Sequence, residues 1–279
     1  GNGYIEAGSF LAILGGTIVG GVLILKSGGS HWIAGLMIAL ALVGYVASRK
    51  IPAAAAPVPN MKLMLNPFTE TWRLIRHSMN NRIEFLCILG ISWFWFIGAL
   101  FLAQFSPLAK DILLADENGV TLFLVVFSVG IAAGSLICTR LIKGLVRATH
   151  VPIGALGMSI FAMDFYFTTR DAALSVDEVL QNVLTFTQQF SGIHILIDLF
   201  GLAICGGIYI VPLYALLQVK ADREHGARAI ASNNLINAVF MVAAAGLATG
   251  MIKYGYSIPQ IFLMAAILNL GVTMYLCKL

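Results

Sequence analysis

The chain has 279 residues, of which 59% are hydrophobic and 11% are charged, and its mean hydropathy is +0.90. A soluble domain carries roughly 25% charged residues, because its surface must face water. The composition therefore excludes an ordinary cytosolic enzyme, a disulfide scaffold and a disordered regulator. It also excludes a nucleic-acid-binding module, despite the net charge of +4. It indicates a protein whose main partner is membrane lipid.

Eight apolar stretches are long enough to cross a bilayer, since a core of about 30 Å requires roughly 20 residues in helical conformation. Transmembrane strands would instead alternate in polarity over segments of about ten residues, and the sequence shows no such segments. The fold class predicted is an all-α polytopic membrane protein with eight transmembrane helices. The predicted spans are Tyr4–Leu25, His31–Ser48, Ile83–Phe105, Val120–Cys138, Val151–Thr168, Ile193–Gln218, Asn233–Ile252 and Ile258–Cys277.

Lysine and arginine are distributed unequally between the two sets of connecting segments. Thirteen of the 17 basic residues fall on one side of the predicted membrane and four on the other. Because basic residues accumulate on the cytoplasmic side, both termini are predicted to be cytoplasmic. An even number of spans agrees with that orientation.

The longest connection on the predicted cytoplasmic side runs from residue 49 to residue 82 and holds four of the eight prolines. Its first half reads IPAAAAPVP, which is typical of an extended linker. Its second half predicts a short amphipathic helix on the inner leaflet. The apolar stripe of that helix is Phe68, Trp72, Ile75 and Met79. The connection divides the chain into residues 1–48, 49–82 and 83–279.

Polar side chains inside the predicted spans are candidate residues of a substrate or proton path, because a charge at bilayer depth costs about 2.5–3.5 kcal/mol. Asn233 and Asn237 share a helical face. Helix capping explains Asn233 or Asn234, but it does not explain Asn237, so substrate binding and interhelical bonding both stay open. Gln104 is ambiguous in the same way. The full set is Glu6, Gln104, Asp164, His194, Asp198, Tyr209, Asn233, Asn234 and Asn237.

The sixth predicted span carries a face of polar or small residues at helical spacing. One interpretation is the wall of a water-lined cavity, with His194 and Asp198 as a proton-titratable pair. The other is that Asp198 only pairs with a neighbouring helix near the lipid headgroups. No metal site is predicted, since two ligands one turn apart lack a third. The face consists of His194, Asp198, Gly201, Cys205, Tyr209 and Pro212.

Two further patterns concern helix packing. Trp93–Phe96 is a run of four aromatic residues that could line the path of an acyl chain, although at least two of them are expected to face lipid.

G-x-x-x-G pairs predict close helix–helix approach in three spans. The pairs are Gly16/Gly20, Gly130/Gly134 and Gly246/Gly250.

Motifs of catalysis and cofactor binding are absent from the sequence. It contains no G-x-S-x-G, no H-E-x-x-H, no P-loop and no H-x-x-x-x-D pair of the acyltransferase type. We therefore expect no enzymatic activity from these residues and no cofactor. Movement of a substrate across the membrane is the default function.

Several long strings of the sequence match one known family. GNGYIEAGSFLAILGGTIVGG, at the start of the chain, resembles the fifth helix of the lysophospholipid transporters of the major facilitator superfamily. GGIYIVPLYALLQ and RAIASNNLINAVFMV are similar to their tenth and eleventh helices. Three other strings are closer to a branch that is fused to a glycerophospholipid acyltransferase and an acyl-carrier-protein ligase. They are NPFTETWRLIR, FSVGIAAGSL and VPIGALGMSIFAMD, at 66–76, 127–136 and 151–164.

The resemblance implies a major-facilitator-type bundle of twelve helices in two halves, of which this chain looks like helices five to twelve and is N-terminally incomplete. Residues 1–48 would end the first half, 49–82 would be the central cytoplasmic loop, and 83–279 would be the second half. The implied function is to move lysophospholipids from the outer to the inner leaflet of a bacterial inner membrane by alternating access. Reacylation by a fused or partner acyltransferase would follow.

Two other functions fit the spans and charges equally well. A major-facilitator carrier of another small solute would have a uniformly polar cavity. A non-transporting membrane platform would present lipid to a fused acyltransferase. The resemblance favours the lysophospholipid transporter over both.

Overall fold

The computed structural model describes residues 2–24, 27–52, 67–142, 148–175, 182–220 and 226–276, which form ten α-helices and no β-strand. The all-α prediction is therefore confirmed for the described part of the chain. The helices are α1 (Asn2–Ile24), α2 (Gly29–Ser48), α3 (Pro67–Asn80), α4 (Arg82–Pro107), α5 (Glu117–Ile142), α6 (Val151–Ser175), α7 (Val183–Gln188), α8 (Phe190–Lys220), α9 (Gly226–Lys253) and α10 (Ile258–Leu276).

Six of these helices are long and apolar enough to cross a membrane, namely α2, α4, α5, α6, α8 and α9. All eight predicted spans are helical over their described residues, where α1 and α10 hold shorter apolar stretches, Leu11–Gly20 and Ile258–Met274. The structure thus confirms a multi-pass helical protein, and the count of eight spans stays a prediction.

The amphipathic helix predicted after the proline-rich linker is present as α3, which packs against α4 and α9. Trp72 and Met79 of its apolar stripe are exposed, and Ile75 packs against the protein core. This division suits a helix that contacts both lipid and protein. Most of the linker lies in 53–66, outside the described residues.

The long helices alternate in direction, which gives the bundle two ends. The proximal end is where α4, α6 and α9 begin, and the distal end is where they finish and α5, α8 and α10 begin. At the proximal end, Asn81 Nδ2 donates to the Lys220 carbonyl oxygen at 3.3 Å, joining the start of α4 to the end of α8. α1 packs along α5. α2 contacts α1, and the other faces of α2 are exposed.

The core of the bundle is built around α8, which packs against α5 and α6 over most of its length. Glycines permit this contact. A Cβ on Gly134 of α5 would meet the backbone carbonyl of Ile204, and a Cβ on Gly207 would lie 2.5 Å from the Ile131 carbonyl oxygen. The predicted packing role is therefore confirmed for Gly130/Gly134. The glycine pairs of α1 and α9 have no neighbouring heavy atom within 4 Å among the described residues.

Candidate functional site

Two carboxylates and an imidazole meet near the distal end of the bundle, between α6 and α8. His194 and Asp198 lie one turn apart on α8, and Asp164 comes from α6. His194 Nε2 lies 3.1 Å from Asp164 Oδ2 and 3.7 Å from Asp198 Oδ1. We call Asp164, His194 and Asp198 the distal triad. The pair on α8 was predicted from its spacing, and the structure adds the third member.

The three side chains of the distal triad differ in their exposure. The side chain of Asp198 is 1% exposed, whereas those of His194 and Asp164 are 36% and 49% exposed. The Thr168 hydroxyl lies 3.2 Å from Asp198 Oδ2 and 3.0 Å from the Asp164 carbonyl oxygen, so its single proton is shared between these acceptors. Asp198 Oδ1 is left facing His194. Asp198 is thus a buried, oriented carboxylate, and its two triad partners are accessible.

A cavity of about 360 Å³ adjoins the triad and gives it access to small molecules. Its lining combines carboxylates with aromatic rings: Asp164, Phe167, Thr168, Asp171, Ala172, Phe190, Ser191 and His194. The Phe190 ring lies 5.8 Å from the His194 ring, centroid to centroid. Such a lining can bind a cation.

Most of the polar face of α8 packs against α6. A Cβ on Gly154 would lie 2.9 Å from the Cys205 carbonyl oxygen, and a Cβ on Gly201 would overlap the Phe161 ring. Direct helix contact therefore accounts for the middle of this face, because backbones this close leave no room for water. At the distal end of this face, His194 borders the cavity.

Tyr209 and Asn237 form interhelical hydrogen bonds inside the bundle, away from the distal triad. The Tyr209 hydroxyl donates to the Gly90 carbonyl oxygen at 3.0 Å, which joins α8 to α4. The Ser92 hydroxyl donates to Asn237 Oδ1 at 2.7 Å, which joins α4 to α9. Polar bonds of this kind hold helices together where lipid gives no hydrophobic drive for association.

The remaining candidates are not brought together. Asn233 is buried, and its Oδ1 has no hydrogen-bond partner within the described part of the chain, while Asn234 beside it is exposed. Gln104 is buried near the distal end of α4, and its Oε1 likewise lacks a partner among the described residues. Glu6 belongs to α1, but its side chain lies outside the described residues.

The aromatic run Trp93–Phe96 is divided between two environments. Phe94 and Phe96 are buried and the two tryptophans are half-buried. Trp93 Nε1 donates to Asn269 Oδ1 at 2.8 Å, and Trp95 Nε1 donates to the Tyr214 hydroxyl at 3.1 Å. Each indole N–H thus finds a polar partner inside the bundle, and the prediction that at least two rings face lipid stays a prediction.

Asn269 is a buried polar residue that the sequence reasoning missed. Its Oδ1 accepts from Trp93, and its Nδ2 lies 2.8 Å from the Ala155 carbonyl oxygen and 2.9 Å from Ser159 Oγ. One amide thus joins α10 to α4 and α6. The signal was available, because Asn269 interrupts an apolar span in the same way as Asn237.

Long apolar helices with ionisable and amide side chains between them define a multi-pass integral membrane protein of the helical-bundle class. The curated proteins that the chain resembles are bacterial, and in bacteria a helical bundle of this kind spans the inner membrane, because outer-membrane proteins span as closed barrels. The relatives are named lysophospholipid transporter LplT. The chain is 31% identical to that of Photorhabdus laumondii over 266 residues, which cover 91% of this chain and 58% of the relative. It is 30% identical to the transporter of Cronobacter sakazakii, and the alignment covers 90% of this chain and 58% of that relative.

Over 266 aligned residues, the chain is similar to proteins named lysophospholipid transporters. A further relative, from Yersinia pestis strain Pestoides F, is 27% identical over 266 residues and is covered to 57% of its length. The chain therefore spans somewhat less than three fifths of the relatives it matches. No protein-family model matches the chain, and no solved structure matches it significantly.

Proposed function

We propose that the protein transports lysophospholipids from the outer to the inner leaflet of a bacterial inner membrane. The observation that carries this proposal is the 266-residue similarity to relatives named lysophospholipid transporters. The fold supports it, because six helices are apolar enough to cross the membrane and polar side chains are buried between them.

The architecture we propose is that of the major facilitator superfamily, with both termini in the cytoplasm. Residues 1–48 would end the N-terminal half, 49–82 would be the central cytoplasmic loop, and 83–279 would be the C-terminal half. The six long helices after the loop and the packing of α1 along α5 support this division. Alternating access would then be a rocking of one half against the other.

A single-chain lipid requires a path that is polar for its headgroup and apolar for its acyl chain. The distal triad and its cavity place carboxylates, an imidazole and two phenylalanine rings within one surface recess. In the proposed orientation this recess is on the outer side, where the substrate would arrive. Reacylation of the transported lipid by a fused or partner acyltransferase completes the proposal.

The direct test is uptake of labelled lysophosphatidylethanolamine by spheroplasts that express the full-length native protein and lack another lysolipid transporter. We expect uptake of the single-chain lipid above vector control, with no uptake of the two-chain lipid or of a sugar. Sugar uptake without lysolipid uptake would contradict the proposal and indicate a solute carrier. Normal reacylation without uptake would contradict it in favour of the membrane platform.

In the same assay, Asp198→Asn is expected to slow lysolipid uptake about tenfold, because a buried charged hydrogen-bond partner contributes roughly 1.5–3 kcal/mol. Asparagine keeps the shape of the side chain and can still accept from Thr168, but it carries no charge. The matched control is Asp111→Asn, because Asp111 is exposed and lies at the same end of the bundle. Equal uptake by both variants at equal protein in the membrane would remove Asp198 from the path.

A further inference from the structure

We propose that the distal triad binds a divalent transition-metal ion of the zinc type, with Asp164, His194 and Asp198 as its three protein ligands. This site is independent of which lipid or solute the protein moves. The inference combines four observations, which concern the geometry of the donor atoms, the charge of the cluster, the orientation of the buried ligand and the adjoining cavity.

The donor atoms already lie at distances close to those that a tetrahedral ion requires. Zinc–nitrogen and zinc–oxygen bonds of about 2.0–2.2 Å place neighbouring donors about 3.3 Å apart in a tetrahedron. The distances from His194 Nε2 to the two carboxylate oxygens are 3.1 and 3.7 Å, and all three donors lie within 4.8 Å of one another. Only small side-chain adjustments are needed, and the exposed Asp164 and His194 have the freedom to make them.

The charge of the cluster calls for a cation. Asp164 and Asp198 each pair with His194. In the described part of the chain, no lysine or arginine pairs with either carboxylate. One imidazole supplies at most one positive charge against two carboxylates. A divalent ion beside a neutral imidazole brings the total to zero, which favours burial of Asp198 at membrane depth.

The surroundings of Asp198 resemble the second layer of a metal site. The Thr168 hydroxyl contacts Oδ2, which turns Oδ1 towards His194 and fixes the carboxylate before any ion binds. Outer contacts of this type commonly orient metal ligands. The cavity of about 360 Å³ leaves a fourth coordination position open to water or to an anionic group of a substrate.

The donor set also selects the kind of ion. An imidazole nitrogen with two carboxylate oxygens suits zinc and related first-row ions, whereas calcium takes six to eight oxygen ligands. We therefore expect zinc to bind in the presence of excess calcium. Cobalt is a suitable spectroscopic probe, since a tetrahedral cobalt site absorbs visible light strongly.

The test is calorimetric titration of zinc into the full-length protein, purified in detergent and freed of metal with a chelator. We expect one zinc ion per chain, and a loss of affinity beyond the 10–100-fold typical of outer-contact changes for both Asp198→Asn and His194→Gln. The matched control is Asp171→Asn, which removes a carboxylate from the same cavity but outside the triad. It is expected to change the affinity by less than about threefold, well below that range.

The proposal is overturned if the wild-type protein binds no zinc, or if the triad variants bind it as tightly as the Asp171 variant does. In either case the triad does not bind a zinc-type ion. Gel filtration of each variant establishes that it is folded, and cobalt absorption in the wild type reports the coordination directly. Because binding is measured without transport, its failure leaves the proposed lipid transport untouched.

Discussion

Gly134→Ala is expected to prevent most of the protein from accumulating in folded form, although it adds a single methyl group. The new Cβ would overlap the backbone carbonyl of Ile204 in α8. A flexible side chain could move aside, but a helix backbone can yield only if α5 and α8 separate. Overpacking of this kind costs roughly 1–3 kcal/mol and occasionally more, and we expect the upper end because the whole helix interface must shift.

The matched control for this variant is Gly246→Ala in α9, where a Cβ meets no heavy atom within 4 Å. Alanine favours a helix over glycine by about 1 kcal/mol, so this change is expected to be neutral or mildly stabilising. Both variants are compared by the amount of monodisperse protein extracted from membranes and by its thermal unfolding midpoint in detergent. Equal unfolding midpoints for the two variants would contradict the close contact between α5 and α8.

Asn269→Leu is expected to lower the free energy of unfolding by about 2 kcal/mol, as the loss of three interhelical bonds averaging ~0.6 kcal/mol each implies. Leucine is similar in size but can replace none of these bonds. The change would also leave the Trp93 indole N–H without its acceptor inside the bundle. The measurement is the unfolding midpoint of the purified full-length protein on heating.

Asn234→Leu is the control for Asn269→Leu, because Asn234 is exposed on α9 and its substitution breaks no bond between helices. Its midpoint is expected to match that of the wild type. A double-mutant cycle with Trp93→Phe isolates the indole–amide bond from the other two. If Asn269→Leu is no less stable than the control, the amide does not hold α10 to α4 and α6.

The helices could be predicted from the sequence because their cause is local. A run of some 20 apolar residues in lipid must satisfy its backbone hydrogen bonds internally, and a helix does so without partners. The amphipathic α3 followed from the spacing of Trp72, Ile75 and Met79 for the same reason. Where a span begins and ends depends on few residues, so the count of eight spans stays a prediction.

The candidate site was predictable only in part. Helical spacing placed His194 and Asp198 on one face, since residues four apart are always neighbours on a helix. It could not bring Asp164 to them, because that contact depends on how α6 and α8 cross and how deeply they sit against each other. The sequence argument against a metal site rested on a missing third donor, and the packing of α6 on α8 brings Asp164 Oδ2 to 3.1 Å from His194 Nε2.

The sequence by itself determined that this is a helical membrane protein and which family it resembles, because hydropathy and long matching strings are properties of the chain alone. Tertiary structure decided the partners of each buried polar group. It turned the middle of the α8 face into a packing surface and drew Trp93 and Trp95 inwards. It also made Asn269 the junction of three helices. A buried polar side chain is stabilised in lipid when it bonds to another helix, and only the packed bundle establishes which partner it finds there.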